Sequence, residues 1–490
     1  MSSTSSVWRR LGRWLRRAGI FVLVVLATIV AVRAWEARRP PGLKPWHRFA
    51  PPSELTARDF TDSFTLDDYL KREDQAFREV EANVEQKLAP EDRFAANRYD
   101  PDALTSPRRF SRDWNRTFEL VPETIRGGAL LLHGLTDSPY SMRGVAELLR
   151  DRGYYALALR VPGHGTVPGG LTRAVWEDWI AAVRMAARHV AKRAGQGRPF
   201  VIVGYSNGGA LAVKYALDAA EGGALPRPDT VVLMSPMIGV TPAAALARFL
   251  GKLAVIPYFE KTRWLDVVPE YNPFKYNSFP VNAGFQTSRL TTALQEQLAQ
   301  AASSGRLSAM PRILTFQSVC DATVVTDAVV HKLYDALPAN GSELVLFDLN
   351  RGTPASAFLA PAAGRLLAEV MAAAPRRYAL TVVANRAPDS REVVARTYPA
   401  NGAAASEKAL ETSWPLQVYS LSHVAVPFPT SDPLYGGEPR GEAIPIHLGV
   451  LAPRGERGVL TVSPDQFLRV TYNPFFPYLA ERVATWTAMP

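Results

Sequence analysis

Uninterrupted apolar runs alternate with segments of helical periodicity from Arg126 onward. The apolar runs read GGALLLHGL from residue 127, YYALALRV from residue 154 and PFVIVG from residue 199, and a helical segment, WEDWIAAVRMAARHV, begins at residue 176. Apolar runs without alternation are typical of strands buried on both faces, as in a parallel sheet covered by helices. The pattern therefore predicts an α/β fold in which a mostly parallel central sheet carries helices on both faces.

A long insertion interrupts this alternation between Met237 and Ser304 and is rich in aromatic residues and proline. Insertions of this length at the carboxyl edge of a sheet are typical of caps, so we predict a cap insertion over residues 237 to 304. Its large apolar side chains are expected to form one wall of a binding tunnel: Leu246, Phe249, Leu250, Leu253, Ile256, Phe259 and Trp264. Packing of the cap onto the body would use the same residues, and both interpretations stay open.

The pattern is weaker in the last third of the chain. There we predict an alanine-rich helix from Ala355 to Ala373, a strand from Tyr378 to Ala384 and a further strand from Leu416 to Val426. Residues 352 to 415 then form an insertion before the final strand of a main domain that covers residues 126 to 490.

Residues 46 to 125 precede the alternating region and are predicted to form a helical extension. Within it, Leu66 to Leu88 has the period of an amphipathic helix, and its many charged residues are expected to form a solvated face. A proline-rich stretch, PPGLKPWHRFAPP from residue 40, suits an extended spacer ahead of this helix.

Residues 1 to 45 contain a basic segment followed by an apolar run from Ala18 to Val32. The run is shorter than the ~20 residues that span a bilayer, but flanking apolar and arginine side chains extend it, so we predict an uncleaved single-pass membrane anchor. A cleaved signal peptide, with Val32-Arg33-Ala34 as its cleavage site, is the alternative. Arginines cluster ahead of the run, which favours a cytoplasmic amino terminus and a body beyond the membrane, facing the periplasm in a bacterium.

The basic charge of the chain is confined to that amino-terminal segment. The whole sequence has a formal charge of +10, whereas residues 1 to 50 hold ten Lys or Arg and one acidic residue, or +9, which leaves +1 for the remaining residues. A nearly neutral body has no basic footprint for phosphate backbones, so nucleic-acid binding is excluded as a function class. A lone cysteine, Cys320, excludes an intrachain disulfide, and no Cys/His cluster has metal-ligand spacing, so neither a metal nor a cofactor is expected.

The sharpest chemical signal is GYSNGG at residues 204 to 209, which directly follows the apolar run PFVIV and precedes a helical stretch from Ala210. A strand-to-helix turn of this kind strains the backbone of its serine and exposes the hydroxyl above the sheet, and the glycines leave room for the turn. The amides and the dipole of the following helix point at the same place. Ser206 is therefore predicted to be a nucleophile.

A second signal, LLLHGL at residues 130 to 135, ends another apolar run in a His-Gly turn. Both predicted strands end at the carboxyl edge of the sheet, so the backbone N–H of Leu135 is expected to join that of Asn207 in holding an oxyanion. His133 precedes the nucleophile on an early strand and is expected to brace the loop rather than act as a base.

The stretch LLLHGLTDSPYSMRGVAELLRDRGYYALALRVPGHG, followed by GYSNGG, resembles the α/β-hydrolases of the monoacylglycerol lipase, carboxylesterase and lysophospholipase type. The resemblance covers Gly127 to Val325 and implies the α/β-hydrolase fold, with an oxyanion hole formed by the loop after His-Gly and the residue after the serine. It also implies that His164 is structural in the PGHG loop. By the same resemblance, Asp321, in a D-x-x-V setting after the run ILTFQSV, is the acid of a catalytic triad.

The triad histidine is where this chain departs from the family, which places it after the next strand. Here that predicted strand ends at Asn350 without a histidine. Three histidines follow the acid in the sequence: His331 within a helix, His423 after a strand-like alternation and before a proline-rich loop, and His447 at a second strand-like end. We assign His423 as the general base, with His447 as the alternative.

These residues predict a serine hydrolase that cleaves carboxylic esters through an acyl-enzyme on Ser206, with lipid-like acyl esters favoured by the apolar cap and the membrane anchor. An acyltransferase, a serine peptidase and a non-catalytic binding protein use the same fold and stay open as alternatives. The expected partners are a small ester or lipid-like molecule and, through the amino-terminal helix, a membrane.

Overall fold

A computed structural model of the protein describes residues 41 to 239, 257 to 373, 375 to 402, 404 to 454 and 459 to 488, with scattered positions between 14 and 28. The centre of this described part is a ten-stranded sheet, and a two-stranded ribbon lies apart from it. The strands are β1 (Phe118–Leu120), β2 (Gly127–Leu132), β3 (Tyr154–Leu159), β4 (Phe200–Tyr205), β5 (Thr230–Met234), β6 (Trp264–Asp266), β7 (Phe279–Pro280), β8 (Arg312–Ser318), β9 (Glu343–Phe347), β10 (Ala379–Asn385), β11 (Val393–Tyr398) and β12 (Ser406–Ala409).

The large sheet has the strand order β1-β3-β2-β4-β5-β8-β9-β10-β11-β12. All neighbours from β3 to β10 in this order are parallel, whereas β1 pairs antiparallel with β3, and β11 and β12 form an antiparallel edge. Parallel strands end at the same edge of a sheet. The segments that follow β2, β4 and β8 are therefore presented side by side, where α/β proteins bind their ligands.

Helices cover both faces of this sheet. The helices of the described residues are α1 (Pro45–Arg48), α2 (Leu66–Asn83), α3 (Arg143–Asp151), α4 (Trp176–Ala194), α5 (Asn207–Ala220), α6 (Val281–Ser303), α7 (Thr326–Ala328), α8 (Arg365–Ala372) and α9 (Phe476–Trp486). The pleat of β2 sends Leu130 into the core formed with α4 and α5, and Leu131 into the core formed with α3 and α9. Two apolar cores thus hold the sheet between helices, and the predicted α/β fold with a mostly parallel sheet is confirmed.

The predicted insertion over residues 352 to 415 contributes strands to the sheet. β10 agrees closely with the predicted strand from Tyr378 to Ala384 and pairs parallel with β9, and β11 and β12 extend that edge. Of the predicted helix from Ala355 to Ala373, only α8 forms, because two short 3₁₀ turns that begin with Pro354 and Pro361 precede it.

The predicted final strand from Leu416 to Val426 is wrong, since these described residues form loops and turns. Side chains occupy the carbonyl oxygens that a strand ladder would use: Thr353 Oγ1 donates to Leu416 O at 2.8 Å, and Asn350 Nδ2 donates to Val418 O at 2.8 Å. The segment ends in a 3₁₀ turn at His423–Ala425. The alternation of apolar residues in this segment therefore does not correspond to a paired strand.

The second half of the predicted cap belongs to the body. Helix α6 packs along α4 and α5, with Leu290 and Leu294 fully buried in that core. Trp264 packs against the amino-terminal extension, with its ring centroid 4.8 Å from that of His47. Five other residues of the predicted tunnel wall lie outside the described residues: Leu246, Phe249, Leu250, Leu253 and Ile256. The side chain of Phe259 also lies outside the described part.

Buried polar contacts tie the amino-terminal extension to the body. Helix α2 begins at Leu66 as predicted, but its Glu73 is buried and accepts hydrogen bonds from Arg160 Nε at 2.9 Å and from Thr117 Oγ1 at 2.8 Å. Two oxygens of Glu54 each accept a 3.0 Å bond from the same guanidinium. The predicted solvated face is therefore wrong at Glu73, because helical spacing alone does not reveal a buried partner that is distant in the sequence.

The described residues contain no helix that is both long enough and apolar enough to cross a membrane. The predicted anchor from Ala18 to Val32 lies outside them except at a few single positions. Membrane anchoring and signal-peptide cleavage therefore stay predictions from the sequence without structural support.

The carboxyl-terminal segment contains a buried acid, Asp432. Its Oδ1 accepts hydrogen bonds from the Tyr140 hydroxyl at 2.9 Å and from the backbone N–H groups of Leu434 and Tyr435 at 3.0 and 2.8 Å. Burial raises the pKa of Asp432 to about 6, although these hydrogen bonds favour the charged form. Between pH 4 and pH 6 the folded chain therefore binds a proton here that the unfolded chain has lost.

Asp432→Asn is expected to stabilise the fold more at neutral pH than at pH 4, because the amide oxygen can accept the same bonds without a buried charge. A carboxyl group whose folded pKa is raised contributes stability at low pH that is lost as pH rises through about 6. The difference in unfolding free energy between variant and wild type should grow by about 2 to 3 kcal/mol from pH 4 to pH 7.5. Urea unfolding measures it, with exposed Asp389→Asn as the control. A difference that is independent of pH would contradict the buried charge.

Candidate active site

Ser206 lies in the turn between β4 and α5, and its backbone is strained. Its φ of 54° and ψ of −116° fall outside the regions that non-glycine residues ordinarily adopt. In the described chain, the other non-glycine residues with positive φ are Thr136, after β2, and Ser235, after β5. Among the described non-glycine residues, the strained backbone is thus found at the carboxyl edge of the sheet.

Close backbone contacts explain the glycines around Ser206. A Cβ atom on Gly204 would lie 2.4 Å from Gly208 O, and one on Gly208 would lie 2.1 Å from Leu132 O. Both distances are shorter than a carbon and an oxygen tolerate, so neither position accepts a larger residue without moving the backbone. The glycine spacing in the sequence therefore reflects the tight turn that presents Ser206.

The loop after β2 lies directly beside this turn. A Cβ atom on Gly134 would lie 3.2 Å from Ser206 Cβ, which places the following residue, Leu135, next to the predicted nucleophile. Asn207 is the first residue of α5, and the first N–H groups of a helix have no acceptor within it. The structure thus brings the two predicted oxyanion residues to the same edge as Ser206.

His133 braces that loop in a single tautomer. Its Nε2 accepts the backbone N–H of Val161 at 3.0 Å, so Nδ1 carries the proton and donates it to Gly134 O at 2.8 Å. Burial holds the pKa of His133 well below its usual value. Both ring nitrogens of this neutral histidine are occupied, which agrees with the bracing role predicted from the sequence.

His164 is fully buried in the PGHG loop, where the resemblance implies a structural role. Its Nδ1 lies 3.2 Å from the carbonyl oxygens of both Val161 and Pro162, and burial lowers its pKa to about 4. Its own carbonyl oxygen accepts a 2.9 Å bond from Arg160 Nη1. These contacts fix the loop, and burial keeps the imidazole neutral at physiological pH.

Asp321 and His423 form a buried pair although 102 positions separate them in the sequence. Asp321 Oδ2 lies 2.8 Å from His423 Nδ1, and Asp321 Oδ1 accepts the backbone N–H groups of Thr323 and Val324 at 2.8 and 3.0 Å. Burial opposes ionisation of the acid, but the hydrogen bond and charge of His423 and the two backbone donors outweigh it and lower the pKa of Asp321. The ionised acid can therefore orient the imidazole.

Tyr205 links this pair to the nucleophile turn. Its ring centroid lies 5.3 Å from that of His423, and its hydroxyl donates to His423 O at 3.4 Å. Because Tyr205 immediately precedes Ser206, these contacts join the segment of His423 to the nucleophile turn. With Nδ1 directed at Asp321, Nε2 is the ring nitrogen that is left for proton transfer.

The other two candidate histidines have different partners. His447 Nδ1 lies 2.6 Å from Pro433 O, and His331 is exposed and pairs with Asp335 at 2.8 Å. Of the three candidates, only His423 contacts Asp321 in the described structure. The geometry therefore favours His423 as the partner of the acid.

Asn350 holds the segment that carries His423, a role that the sequence did not reveal. It follows β9, where the resemblance leads one to expect the triad histidine. Its backbone N–H donates to Tyr419 O and its Nδ2 to Val418 O, both at 2.8 Å, and its Oδ1 accepts the N–H of Gly352 at 3.1 Å. A buried asparagine after a strand fits such an anchoring role, because both its side-chain groups can bond backbone.

The described site offers serine, carboxylate, imidazole and backbone N–H groups. In the ranges that the structure describes, no group of three or more His, Cys, Asp or Glu is placed to hold a metal ion. A nucleophile, a base with its orienting acid, and donors for a developing anion are the components that acyl transfer requires.

Comparison with known proteins gives a family match over the centre of the chain. Residues 123–349 match the sequence model of a family described as serine aminopeptidase, S33. The matched range includes Ser206 and Asp321 and ends before His423. A thermostable monoacylglycerol lipase from Bacillus sp. (strain H-257) is 31% identical over 127 residues, which are 26% of this chain and 50% of that protein. The chain therefore spans about half the length of this curated relative.

Solved structures with a similar arrangement include lipolytic proteins. One, from work on two metagenome-derived lipolytic enzymes, is 22% identical with a TM-score of 0.38 and covers 53% of this chain and 98% of its own. A monoacylglycerol lipase from Paleococcus ferrophilus is 18% identical with a TM-score of 0.36 and covers 47% of this chain and 88% of its own.

Proposed function

We propose that this chain carries an α/β-hydrolase domain and is a serine hydrolase that cleaves carboxylic esters. The family match over residues 123–349 and the partial match to a monoacylglycerol lipase support the domain. The observation that carries the proposal is that Ser206, in its strained turn, shares one edge of the sheet with the buried pair of Asp321 and His423. A nucleophile, a base and an orienting acid are arranged in this way for acyl transfer on several unrelated folds.

In the proposed reaction, His423 Nε2 takes the proton of the Ser206 hydroxyl while Oγ attacks the carbonyl carbon of the ester. Asp321, which is ionised, orients Nδ1–H and stabilises the imidazolium that forms. The tetrahedral adduct then releases the alkoxy oxygen, to which His423 gives the proton. Water attacks the acyl-enzyme with His423 again as base, which yields the carboxylic acid and restores the serine.

The backbone N–H groups of Leu135 and Asn207 are proposed to stabilise the negative oxygen of that adduct. Leu135 follows the glycine that packs on Ser206, and Asn207 begins the helix whose positive end lies at the serine. His133 fixes the first of these loops through two hydrogen bonds. Donors that are rigid before reaction stabilise a developing charge most effectively, because they need no reorganisation.

The acyl group is proposed to be lipid-like. The partial match to a monoacylglycerol lipase supports this, as does the apolar sequence between residues 240 and 256 of the predicted cap. Each methylene group that is buried on binding contributes about 0.8 kcal/mol. The kcat/KM for a decanoyl ester should therefore exceed that for an acetyl ester by more than about tenfold.

A serine peptidase is the second candidate, because the matching family is described as a serine aminopeptidase. Peptide and ester hydrolysis share the acyl-enzyme and differ in the leaving group, an amine or an alcohol. Aminoacyl p-nitroanilides therefore distinguish this candidate from an esterase.

A fluorophosphonate probe followed by peptide mapping tests the proposal, and the expected result is a single modified residue, Ser206. The labelled enzyme should lose turnover of p-nitrophenyl esters in proportion to labelling. Unlabelled enzyme should hydrolyse acetyl to decanoyl esters with rising kcat/KM and leave aminoacyl p-nitroanilides intact. Labelling at another residue would contradict the nucleophile, and faster turnover of the anilides would favour the peptidase.

A further inference from the structure

A buried glutamine contacts the carboxylate of the acid. Gln317 lies near the end of β8 and is fully buried. Its Nε2 lies 3.3 Å from Asp321 Oδ2 and 2.9 Å from Oγ1 of Thr326, the first residue of α7. Asp321 Oδ2 is also the oxygen that faces His423 Nδ1. The amide of Gln317 and the imidazole therefore share one carboxylate oxygen.

The surroundings of this amide determine which of its ends faces Asp321. Thr326 Oγ1 donates its proton to Ser318 O at 3.0 Å, so it can only accept from Gln317. A reversed amide would place its oxygen against two acceptors, the hydroxyl oxygen and the carboxylate. Nε2 therefore gives one proton to Thr326 and directs the other at Asp321 Oδ2, with Ser318 O as a further acceptor at 3.4 Å.

The other end of the amide is a buried acceptor without a donor. Within the described part of the chain, Gln317 Oε1 is buried and has no hydrogen-bond partner. Such an atom destabilises a fold, whereas a methionine or leucine would fill the same space without an unsatisfied oxygen. Packing alone therefore does not explain a glutamine at this position, and a hydrogen bond to the acid does.

With Gln317, each oxygen of the acid has two donors. Oδ1 accepts the backbone N–H groups of Thr323 and Val324, and Oδ2 accepts from the amide and the imidazole. Three of these donors belong to β8 or to the loop that carries the acid, so they hold the carboxylate independently of His423. A carboxylate that is fixed before reaction keeps Nδ1–H aligned while a proton moves at Nε2.

We propose that Gln317 is a positioning residue, which holds the Asp321 carboxylate in place against His423 Nδ1. The inference rests on the proposed ester hydrolysis, in which the imidazole is the base. Thr326 acts one step further away, because it fixes the rotation of the amide.

The shared oxygen also affects the pH range in which the imidazole is a base. Without the amide, the negative charge on the acid is no longer divided between two donors and stabilises the imidazolium more strongly. The free enzyme would then keep His423 protonated, and unable to accept the serine proton, up to a higher pH. Titratable side chains around the pair include Tyr205 on the imidazole, Cys320 beside the acid and Arg469 on the acid loop, and a change at Gln317 leaves them in place.

Gln317→Met tests the proposal, because methionine has a similar length and no donor. In this variant kcat for a p-nitrophenyl ester should fall by about tenfold, and KM should change by no more than about twofold. The midpoint of kcat/KM on its acid side should move to higher pH by about half a unit to one unit. Thr326→Val should give a smaller change in the same direction. Thr315→Val, fully buried two positions earlier on β8, is the matched control and should change neither quantity.

A second measurement does not depend on catalysis. Isotope-labelled histidine allows the imidazole of His423 to be titrated by NMR, and its signal among the seven histidines is identified by its loss in His423→Ala. The titration midpoint should lie at higher pH in Gln317→Met than in the wild type, by the same half a unit to one unit. In Thr315→Val it should equal that of the wild type.

Two outcomes would overturn the inference while leaving ester hydrolysis intact. In one, Gln317→Met has normal kcat; in the other, kcat falls but neither midpoint moves, which would mean that Gln317 only supports the fold. If Gln317→Met does not fold, Thr326→Val decides, and an unshifted midpoint there has the same meaning. If the wild type hydrolyses no ester and fluorophosphonate does not label Ser206, the proposed function fails, and the NMR titration still shows whether the amide acts on the acid–histidine pair.

Discussion

Replacing Ser206 with alanine is expected to lower kcat for ester hydrolysis by about 10⁴-fold or more, and replacing His423 with alanine by a similar factor. Either change removes one partner of a reaction in which the imidazole takes the serine proton. The double variant should be no slower than the slower single variant, because residues that act as a unit are not additive. Turnover of a p-nitrophenyl ester measures the loss, with circular dichroism to show that each variant is folded.

His447→Ala is the matched control for His423→Ala. Its ring contacts Pro433 O, not Asp321, so its removal should change kcat by no more than a few fold. If His447→Ala were inactive and His423→Ala retained normal turnover, the role of base would pass to His447. Full turnover in Ser206→Ala would remove the central proposal.

Arg160→Met is expected to lower the free energy of unfolding by about 3 to 5 kcal/mol. The guanidinium is almost fully buried and binds Glu54 and Glu73 of the amino-terminal extension as well as His164 O. Removing it leaves two carboxylates without their counterion, and Glu73 is itself buried. Urea or thermal unfolding measures the change.

Two further variants separate charge from packing at this site. Adding Glu54→Gln and Glu73→Gln to Arg160→Met should recover part of the lost stability, because the stranded charges are then removed. Arg160→Lys should also be destabilising, since one ammonium cannot replace the four hydrogen bonds that the guanidinium makes to Glu54, Glu73 and His164 O. A loss below about 1 kcal/mol in Arg160→Met would mean that the network contributes no more than an exposed ion pair.

The nucleophile turn could be predicted from the sequence because its requirements are local. Strand, glycine, serine and helix are adjacent in the chain, and the contacts that exclude a side chain at Gly204 and Gly208 arise within that short turn or with the neighbouring strand. The apolar runs of the parallel strands were equally informative, because burial on both faces leaves them without polar positions. Asp321 was identified as the acid from the family resemblance, which rests on its position shortly after β8.

The environment of His423 could not be predicted in the same way. Its segment was expected to be a strand, yet its carbonyl oxygens are taken by Asn350 and Thr353, which lie more than sixty positions earlier. The pairing of Glu73 with Arg160 was missed for the same reason, since it spans 87 positions. Contacts across such distances leave no periodic signal in the sequence.

The separation between Asp321 and His423 also bears on how the protein is made. Domains fold from the amino terminus as the chain emerges during synthesis, and Ser206 and Asp321 precede His423 by a long stretch that includes β9 to β12. A nascent chain can form the strained serine turn and position the acid while it still lacks the imidazole. On the proposed mechanism, the growing polypeptide cannot hydrolyse esters until His423 has been translated and the loop held by Asn350 has docked.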